Sequence, residues 1–247
     1  MLEQSVADLE VLVVDDGSTD GTLDHLPADP RVRALPLTHT GSPAQVRNAG
    51  LRAARGTFVA FLDSDDTWLP PKLERQLAAL DGQPEAWSYT NYDLLDQGGA
   101  VVAMSGGPWR PFGGWIVEAL LSSRASATIV SLLVPRALAL DIGFDHRLHL
   151  YEDFDFVVRL AIRAPAVPIL DVLVHVREHP GRRTRAERTS HAWRALSFAR
   201  VPQYGVTPTA RRLARRLAVH HLRLSLPRGL GQRPWWQSLW AMMGRRG

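Results

Sequence analysis

The stretch FVAFLDSDDTW (Phe58–Trp68) runs an apolar segment directly into three carboxylates, Asp63, Asp65 and Asp66. The apolar residues predict a buried strand over Thr57–Leu62. Unit charges about 4 Å apart repel each other by roughly 1 kcal/mol in water, and by several times more at a partly buried site. The cluster therefore predicts a bound cation, although a solvated acidic loop in which Asp66 caps the next helix would explain the same residues.

Two other acidic clusters occupy comparable positions. The apolar run Glu10–Val14 ends in DDGSTDGT, and YEDFDF (Tyr151–Phe156) supplies three carboxylates at a predicted helix start. The first cluster is not a calcium-binding EF-hand loop, because its twelfth position is Pro27 and a strand precedes it. It could still be a simple turn that uses Asp and Gly for their backbone preferences. The second cluster could simply cap a helix, since a helix N-terminus favours negative charge.

Strand and helix signals alternate along the first 180 residues. The predicted helices are Ser42–Ala54, Pro70–Leu80, Ile116–Leu121 and Asp153–Ile162. The predicted strands are Glu10–Val14, Thr57–Leu62, Trp87–Tyr92, Ala100–Met104, Ile129–Val134 and Pro168–Val176. This alternation favours an α/β fold, in which ligands bind at the carboxyl ends of the strands. Two of the acidic clusters follow predicted strands, so we expect a ligand site there.

The spacing of Asp63 and Asp65 suits a hard divalent cation. If the strand geometry continues, both side chains project to one side. Mg²⁺ and Mn²⁺ prefer oxygen ligands and often share them with the phosphates of a substrate. A carboxylate held at a helix start beside a substrate, such as Asp153, is placed to act as a general base.

Three ordered motifs together resemble the family-2 glycosyltransferases. They are VLVVDDGSTDGT, PAQVRNAGLRAARGTFVAFLDSDDTWLPPKLERQL and YEDFDFVVRLA, and the resemblance runs from Leu2 to about Arg183. It implies the GT-A fold, a Rossmann-like three-layer sandwich with a central, mostly parallel sheet. On this basis we expect a GT-A domain over residues 1–180 and a helical, Arg- and Trp-rich extension over residues 181–247.

The resemblance also implies roles for individual residues. It assigns Asp15 and Asp16 to the nucleoside, Asp63 to the ribose and Asp65 to the metal that binds the diphosphate. It places Arg47 and Asn48 near the nucleotide and makes Asp153 the base that deprotonates the acceptor. Some members carry a histidine after the last strand near the metal, and His179 of VREHPG is the candidate here.

The implied activity is that of an inverting, metal-dependent glycosyltransferase. Its donor would be a nucleotide-diphosphate sugar, with uridine diphosphate the expected carrier, and its cofactor Mg²⁺ or Mn²⁺. Its acceptor would be a hydroxyl of a cell-envelope polysaccharide or of a lipid-linked glycan. The alternative is a catalytically silent subunit that binds sugar nucleotides or supports assembly.

Charge divides the chain into two parts. The residues from Arg177 onward contain 16 arginines and two acidic residues, whereas the acidic residues outnumber the basic ones before that point. The basic end could be a solvated surface produced by compositional bias. Alternatively, the amphipathic segment Thr209–Leu226 and the Trp-rich WWQSLWAMM (Trp235–Met243) could dock on an anionic membrane surface. Nucleic acid is not expected as a partner, because the basic end lacks a reading motif and the acidic front would repel phosphate.

The composition predicts a cytoplasmic protein, with a peripheral position at the inner face of the plasma membrane as the alternative. Cysteine is absent, so the sequence has neither a disulfide framework nor a thiolate metal site. The opening MLEQSVADLE does not read as a signal peptide. Relative to the family it resembles the end of a first helix, which predicts that the family's first strand is missing.

Overall fold

The computed structural model describes residues 1–102, 112–178 and 187–226. The strands are β1 (Val11–Asp15), β2 (Val32–Pro36), β3 (Phe58–Val59), β4 (Thr67–Trp68), β5 (Trp87–Leu95), β6 (Val101–Val102), β7 (Leu132–Pro135) and β8 (Ala166–Arg177). The helices are α1 (Pro43–Ala53), α2 (Lys72–Leu80), α3 (Val117–Leu121), α4 (Arg136–Ile142), α5 (Glu152–Arg163), α6 (Glu187–Arg200) and α7 (Pro208–Ser225). No helix within these ranges is both long and apolar enough to cross a membrane.

The strands of the described residues form two sheets. β1 and β2 pair in parallel, with Val11 opposite Val32. The second sheet has the order β3-β7-β5-β8-β4, with β6 added to β5. The α/β class is confirmed, and the sheet is mixed: β5 and β8 are parallel, whereas β3, β4, β6 and β7 run antiparallel to their neighbours. The long connection between β5 and β8 contains helices, as a parallel crossover requires.

The strand that opens the acidic cluster is shorter than its apolar pattern predicts. The expected strand Thr57–Leu62 is reduced to Phe58–Val59, which pair with Pro135 and Val134 of β7. β7 itself is only four residues long, because a 3-10 turn over Ile129–Ser131 precedes it. Strand length therefore depends on a partner that the local sequence does not reveal.

The core lies between the larger sheet and the helices. Trp87 and Tyr89 of β5 and Phe156 and Leu160 of α5 have no solvent exposure. Elsewhere α1 packs closely on β1, because a Cβ on Gly50 would lie 3.1 Å from Cγ2 of Val14. This contact places the second half of α1 against the end of β1.

The two C-terminal helices share this core. Phe198 of α6 and Ala210 and Ala214 of α7 belong to the same buried cluster as Phe156. Thr207 begins α7 by accepting a hydrogen bond from the backbone N–H of Ala210 at 3.1 Å. The helical character predicted for this part is therefore confirmed, whereas WWQSLWAMM lies outside the described residues.

Lys72, the one lysine in the sequence, is fully buried at the start of α2. Its Nζ donates hydrogen bonds to Oε1 of Gln76 at 2.7 Å and to the carbonyl of Leu132 at 3.3 Å. The ammonium position lies 4.1 Å from the centre of the Trp68 ring. Burial lowers the pKa of Lys72 well below its ordinary value.

Candidate active site

Arg47 joins the acidic strand end to the acidic helix start. The hydroxyl of Ser42 caps α1 and Pro43 occupies its first turn, which projects Arg47 from the following turn. The guanidinium donates one hydrogen bond of 2.9 Å to Asp63 and another of 2.9 Å to Glu152. Two of the three predicted acidic clusters therefore meet at one buried cation.

Negatively charged side chains surround the guanidinium of Arg47. Burial alone would lower the pKa of Arg47, but the carboxylates of Asp63, Asp153 and Glu152 outweigh it and raise the pKa. The predicted base Asp153 therefore lies within the electrostatic reach of the same guanidinium. The side chain of Asp63 is 44% exposed, whereas that of Glu152 is 8% exposed. Asp63 is thus the partner that faces solvent and any ligand.

Asn48 holds the backbone of Phe144, in the segment that leads to α5. Its Nδ2 donates to the carbonyl of Phe144 at 2.8 Å, and its Oδ1 accepts from the N–H of Phe144 at 2.8 Å. The Phe144 ring stacks on Phe156 at 4.3 Å and lies 5.6 Å from the guanidinium carbon of Arg47. Both polar ends of the Asn48 amide therefore bind backbone, while its predicted contact with a nucleotide stays a prediction.

Asp15 and Asp16 lie at the carboxyl end of β1 and support the loop that enters α1. The carboxylate of Asp16 accepts hydrogen bonds from the N–H groups of Thr40 at 2.7 Å and Gly41 at 2.9 Å. Burial opposes ionisation, but these bonds lower the pKa of Asp16 below its ordinary value. Asp15 is buried and accepts from the N–H of Ser18 at 3.1 Å. Asp16 thus links the end of β1 to the loop before α1, while Asp15 closes its own turn, and the role of both toward a nucleoside stays a prediction.

The DxD segment could hold part of a cation site. Asp63 and the exposed Asp65 are two carboxylates of the kind that hard divalent ions prefer. No three His, Asp or Glu side chains gather into a complete metal site in the described part of the chain. The residues therefore fit a cation that draws its other ligands from water or from the diphosphate of a substrate.

Asp66 has a structural contact instead. Its Oδ1 accepts a hydrogen bond of 2.9 Å from the N–H of Arg177, at the end of β8. The chain that leaves β8 is therefore fixed at the DxD segment. The predicted ligand His179 follows two residues later and lies outside the described residues.

Sequence reasoning missed two residues of this site. Glu152 was one of three acids at a helix start, and only its bond to Arg47, 105 positions away, distinguishes it from its neighbours. Tyr151 has a left-handed backbone with φ 65° and ψ 19°, although it is not a glycine. No signal in the sequence marks that conformation.

Comparison with known proteins finds matches over the N-terminal part of the chain. Residues 1–102 match the sequence model described as glycosyl transferase family 2. A 103-residue region is 43% identical to TuaG of Bacillus subtilis, which is named for teichuronic acid biosynthesis, and covers 40% of this chain and 41% of TuaG. Another is 36% identical to the Escherichia coli UDP-Glc:alpha-D-GlcNAc-diphosphoundecaprenol beta-1,3-glucosyltransferase WfgD, over 41% of each chain. The chain thus spans less than half the length of these relatives.

Solved structures extend the comparison to nearly the whole chain. The crystal structure of Staphylococcus aureus TarS 1–349 in complex with UDP-GlcNAc superimposes with a TM-score of 0.67 and 20% identity. The superposition covers 96% of this chain and 72% of TarS 1–349. The chain therefore has the GT-A fold, and its first 102 residues match the sequence model of glycosyl transferase family 2.

Proposed function

We propose that this chain is an inverting, metal-dependent glycosyltransferase. It would transfer a sugar from a UDP-sugar to a hydroxyl of a cell-envelope polysaccharide or of a lipid-linked acceptor. The observation that carries the proposal is the meeting of Asp63 and the Glu152–Asp153 pair around Arg47. This arrangement supports the proposal because the proposed donor-binding carboxylate and the proposed base interact with the same buried cation.

The proposed reaction is a single displacement. Asp153 accepts the proton of the acceptor hydroxyl while the oxygen forms a bond to the anomeric carbon. The bond between that carbon and the diphosphate oxygen breaks on the opposite face, and its electron pair leaves with the nucleoside diphosphate. A divalent cation held by Asp65, with His179 as a further candidate ligand, would stabilise the charge on the departing diphosphate. Attack from the opposite face inverts the configuration of the sugar.

The proposed donor is supported by two relatives. TarS 1–349 has been crystallised with UDP and with UDP-GlcNAc, and the name of WfgD contains UDP-Glc. In this chain Asp15, Asp16, Arg47, Asn48 and Asp63 are the proposed donor-binding residues. Because Asp16 and Asn48 already bind backbone, we expect them to act mainly by holding the loops that contact the nucleotide.

The decisive experiment measures UDP release from UDP-glucose and UDP-N-acetylglucosamine with a panel of glycan acceptors. EDTA should abolish release and added Mg²⁺ or Mn²⁺ should restore it, while Asp153→Asn should lower kcat at least a hundredfold. The matched control is Asp171→Asn, since Asp171 is an exposed carboxylate on β8 that pairs only loosely with Arg75 at 3.7 Å. Activity that survives both chelation and Asp65→Ala would overturn the metal role. Calorimetric binding of donor without turnover would instead support a silent binding subunit.

We also propose that helix α7 meets an anionic membrane surface, where a lipid-linked acceptor would be presented. WfgD, whose name specifies a diphosphoundecaprenol acceptor, is the relative that favours this. The basic face of α7 consists of exposed arginines and contains no acidic residue; its members are Arg211, Arg212, Arg215, Arg216 and Arg223. None of them forms an ion pair with a carboxylate of the described residues.

Contact through α7 would be electrostatic rather than insertional. Leu213 and Leu217, on the apolar side of the helix, pack against the protein core and are not available to lipid. Each arginine near an anionic surface contributes about 1 kcal/mol, so the basic face supplies at most about 5 kcal/mol. Binding should therefore be weak and sensitive to salt.

Vesicle sedimentation tests this contact. The chain should pellet with vesicles that contain phosphatidylglycerol and should dissociate from them as NaCl rises from about 50 to 500 mM. It should not pellet with vesicles of pure phosphatidylcholine. Replacing the five arginines of the basic face by Gln should abolish pelleting. A control with the same net charge replaces five exposed arginines outside α7: Arg52, Arg55, Arg75, Arg124 and Arg163. Equal loss in both variants would show that net charge, and not α7, is responsible.

A further inference from the structure

Tyr151, the residue before Glu152 and Asp153, has an unusual backbone. Its φ of 65° lies in the left-handed region, where a side chain bearing a Cβ is strained. A non-glycine residue in that region costs about 1–3 kcal/mol and persists only when its surroundings impose it. Strain directly beside the candidate base calls for a physical cause.

Helix α6 supplies that cause. The hydroxyl of Tyr151 is hydrogen-bonded to Oγ of Ser190, a buried side chain near the start of α6. The guanidinium carbon of Arg194, one turn later, lies 5.0 Å from the centre of the Tyr151 ring. The ring is thus bound at its tip and covered on one face. Both contacts come from the same helix.

Helix α6 is itself attached to α5 and to the loop before it. Arg200 binds the carboxylate of Asp145, and the hydroxyl of Tyr204 just beyond it donates to Oδ1 of Asp155 at 2.9 Å. Asp155 is buried and also binds Arg159 at 2.8 Å. These contacts tie the end of α6 and the turn after it to α5 and to the loop before α5.

The left-handed residue determines where α5 begins. The carbonyl of Tyr151 accepts the first helical hydrogen bond, from the N–H of Asp155 at 2.9 Å. Glu152 and Asp153 consequently stand in the first turn, where Glu152 reaches Arg47. A relaxed Tyr151 would change the direction of the chain at this point and displace both carboxylates.

We propose that Tyr151, held by Ser190 and Arg194, is a positioning residue for Asp153, which makes α6 part of the catalytic apparatus. The proposal rests on the proposed function in assigning Asp153 as the base. It goes beyond that function by giving the C-terminal helices a role in the reaction itself. Small displacements of a catalytic group lower rates steeply, so we expect an effect on kcat and little on donor binding.

The experiment compares Tyr151→Phe, Ser190→Ala and the double variant. Each single change should lower kcat about tenfold and leave the KM for UDP-glucose within about twofold. The double variant should lose no more than either single variant, because all three remove the same hydrogen bond. Ser197→Ala is the matched control, since Ser197 is a buried serine of α6 whose hydroxyl donates to the carbonyl of Trp193. Losses that multiply, or an equal loss in Ser197→Ala, would overturn the proposal.

A second readout does not depend on turnover. Amide hydrogen exchange at Asp155 should accelerate about tenfold in Tyr151→Phe and Ser190→Ala but not in Ser197→Ala, because its N–H binds the carbonyl of Tyr151. Unchanged exchange in both variants would refute the positioning role, whether or not the chain transfers sugar. If exchange accelerates in the two variants but the wild-type chain shows no turnover, the positioning role stands. That result would count against the proposed function alone.

Discussion

The two ion pairs of Arg47 should contribute very differently to stability. The side chains of Arg47 and Glu152 are 15% and 8% exposed, whereas that of Asp63 is 44% exposed. Removing one member of a buried pair typically costs about 3–5 kcal/mol, because the remaining charge loses its partner. A pair in contact with solvent contributes about 0.2–1 kcal/mol. We therefore expect most of the stabilisation to come from Glu152.

Double-mutant cycles measure this difference. The variants are Arg47→Met, Glu152→Gln, Asp63→Asn and the two doubles that include Arg47→Met. The coupling energy of Arg47 with Glu152 should be about 2–3 kcal/mol, and that with Asp63 below about 1 kcal/mol. Free energies of unfolding come from urea titrations of each purified variant at neutral pH.

The cycle also separates two interpretations of the site. A weak Arg47–Asp63 coupling means that Asp63 can turn toward a ligand at little cost while Glu152 stays fixed. If the coupling with Asp63 equals or exceeds that with Glu152, Asp63 is a structural residue and its proposed role at the donor is wrong. Adding UDP and Mg²⁺ to the same variants provides the control, since ligand should weaken only the Asp63 coupling.

Three further predictions concern stability. Burial lowers the pKa of Lys72, while in the unfolded chain its pKa is near 10.4. The free energy of unfolding of wild type should therefore rise, relative to that of Lys72→Met, by up to about 1.4 kcal/mol per pH unit between about pH 8 and 10. A constant difference between the two proteins in urea titrations would contradict this. Burial, with the charges of Arg194, His191 and His220, lowers the pKa of His221 to about 4. The protein should therefore lose stability as the pH falls from about 6.5 toward 4, and thermal melts of His221→Phe should show a smaller loss than wild type. Asn48→Ala should lower the melting temperature by several degrees. Each hydrogen bond lost from the Phe144 backbone leaves a polar group unpaired, at a cost of about 1–3 kcal/mol. An unchanged melting temperature would show that the backbone of Phe144 finds other partners.

The sequence was sufficient for the fold class and for locating three acidic clusters, two after predicted strands and one at a predicted helix start. Asp63 follows an apolar strand and Asp153 opens a helix, and the edges of an α/β sheet bring such positions together. The local patterns that mark these residues are strong and short in range.

The missing information is non-local. The length of β3 depends on β7, more than 70 residues away, and the partner of Arg47 depends on the packing of α1 against α5. The backbone of Tyr151 depends on contacts from α6 that no periodicity records. The amphipathic pattern of α7 predicted two faces, but it did not reveal that the protein core covers Leu213 and Leu217.

The pairing of β5 has a practical consequence for chimaeric enzymes. Residues 1–102 contain β5, but its neighbours β7 and β8 come from residues 132–135 and 166–177. If only residues 1–102, which match the family model, were exchanged, β5 would come from one protein and its neighbours β7 and β8 from another. An exchange should therefore carry the chain through Arg177, and should keep α6 matched to the α5 that it contacts.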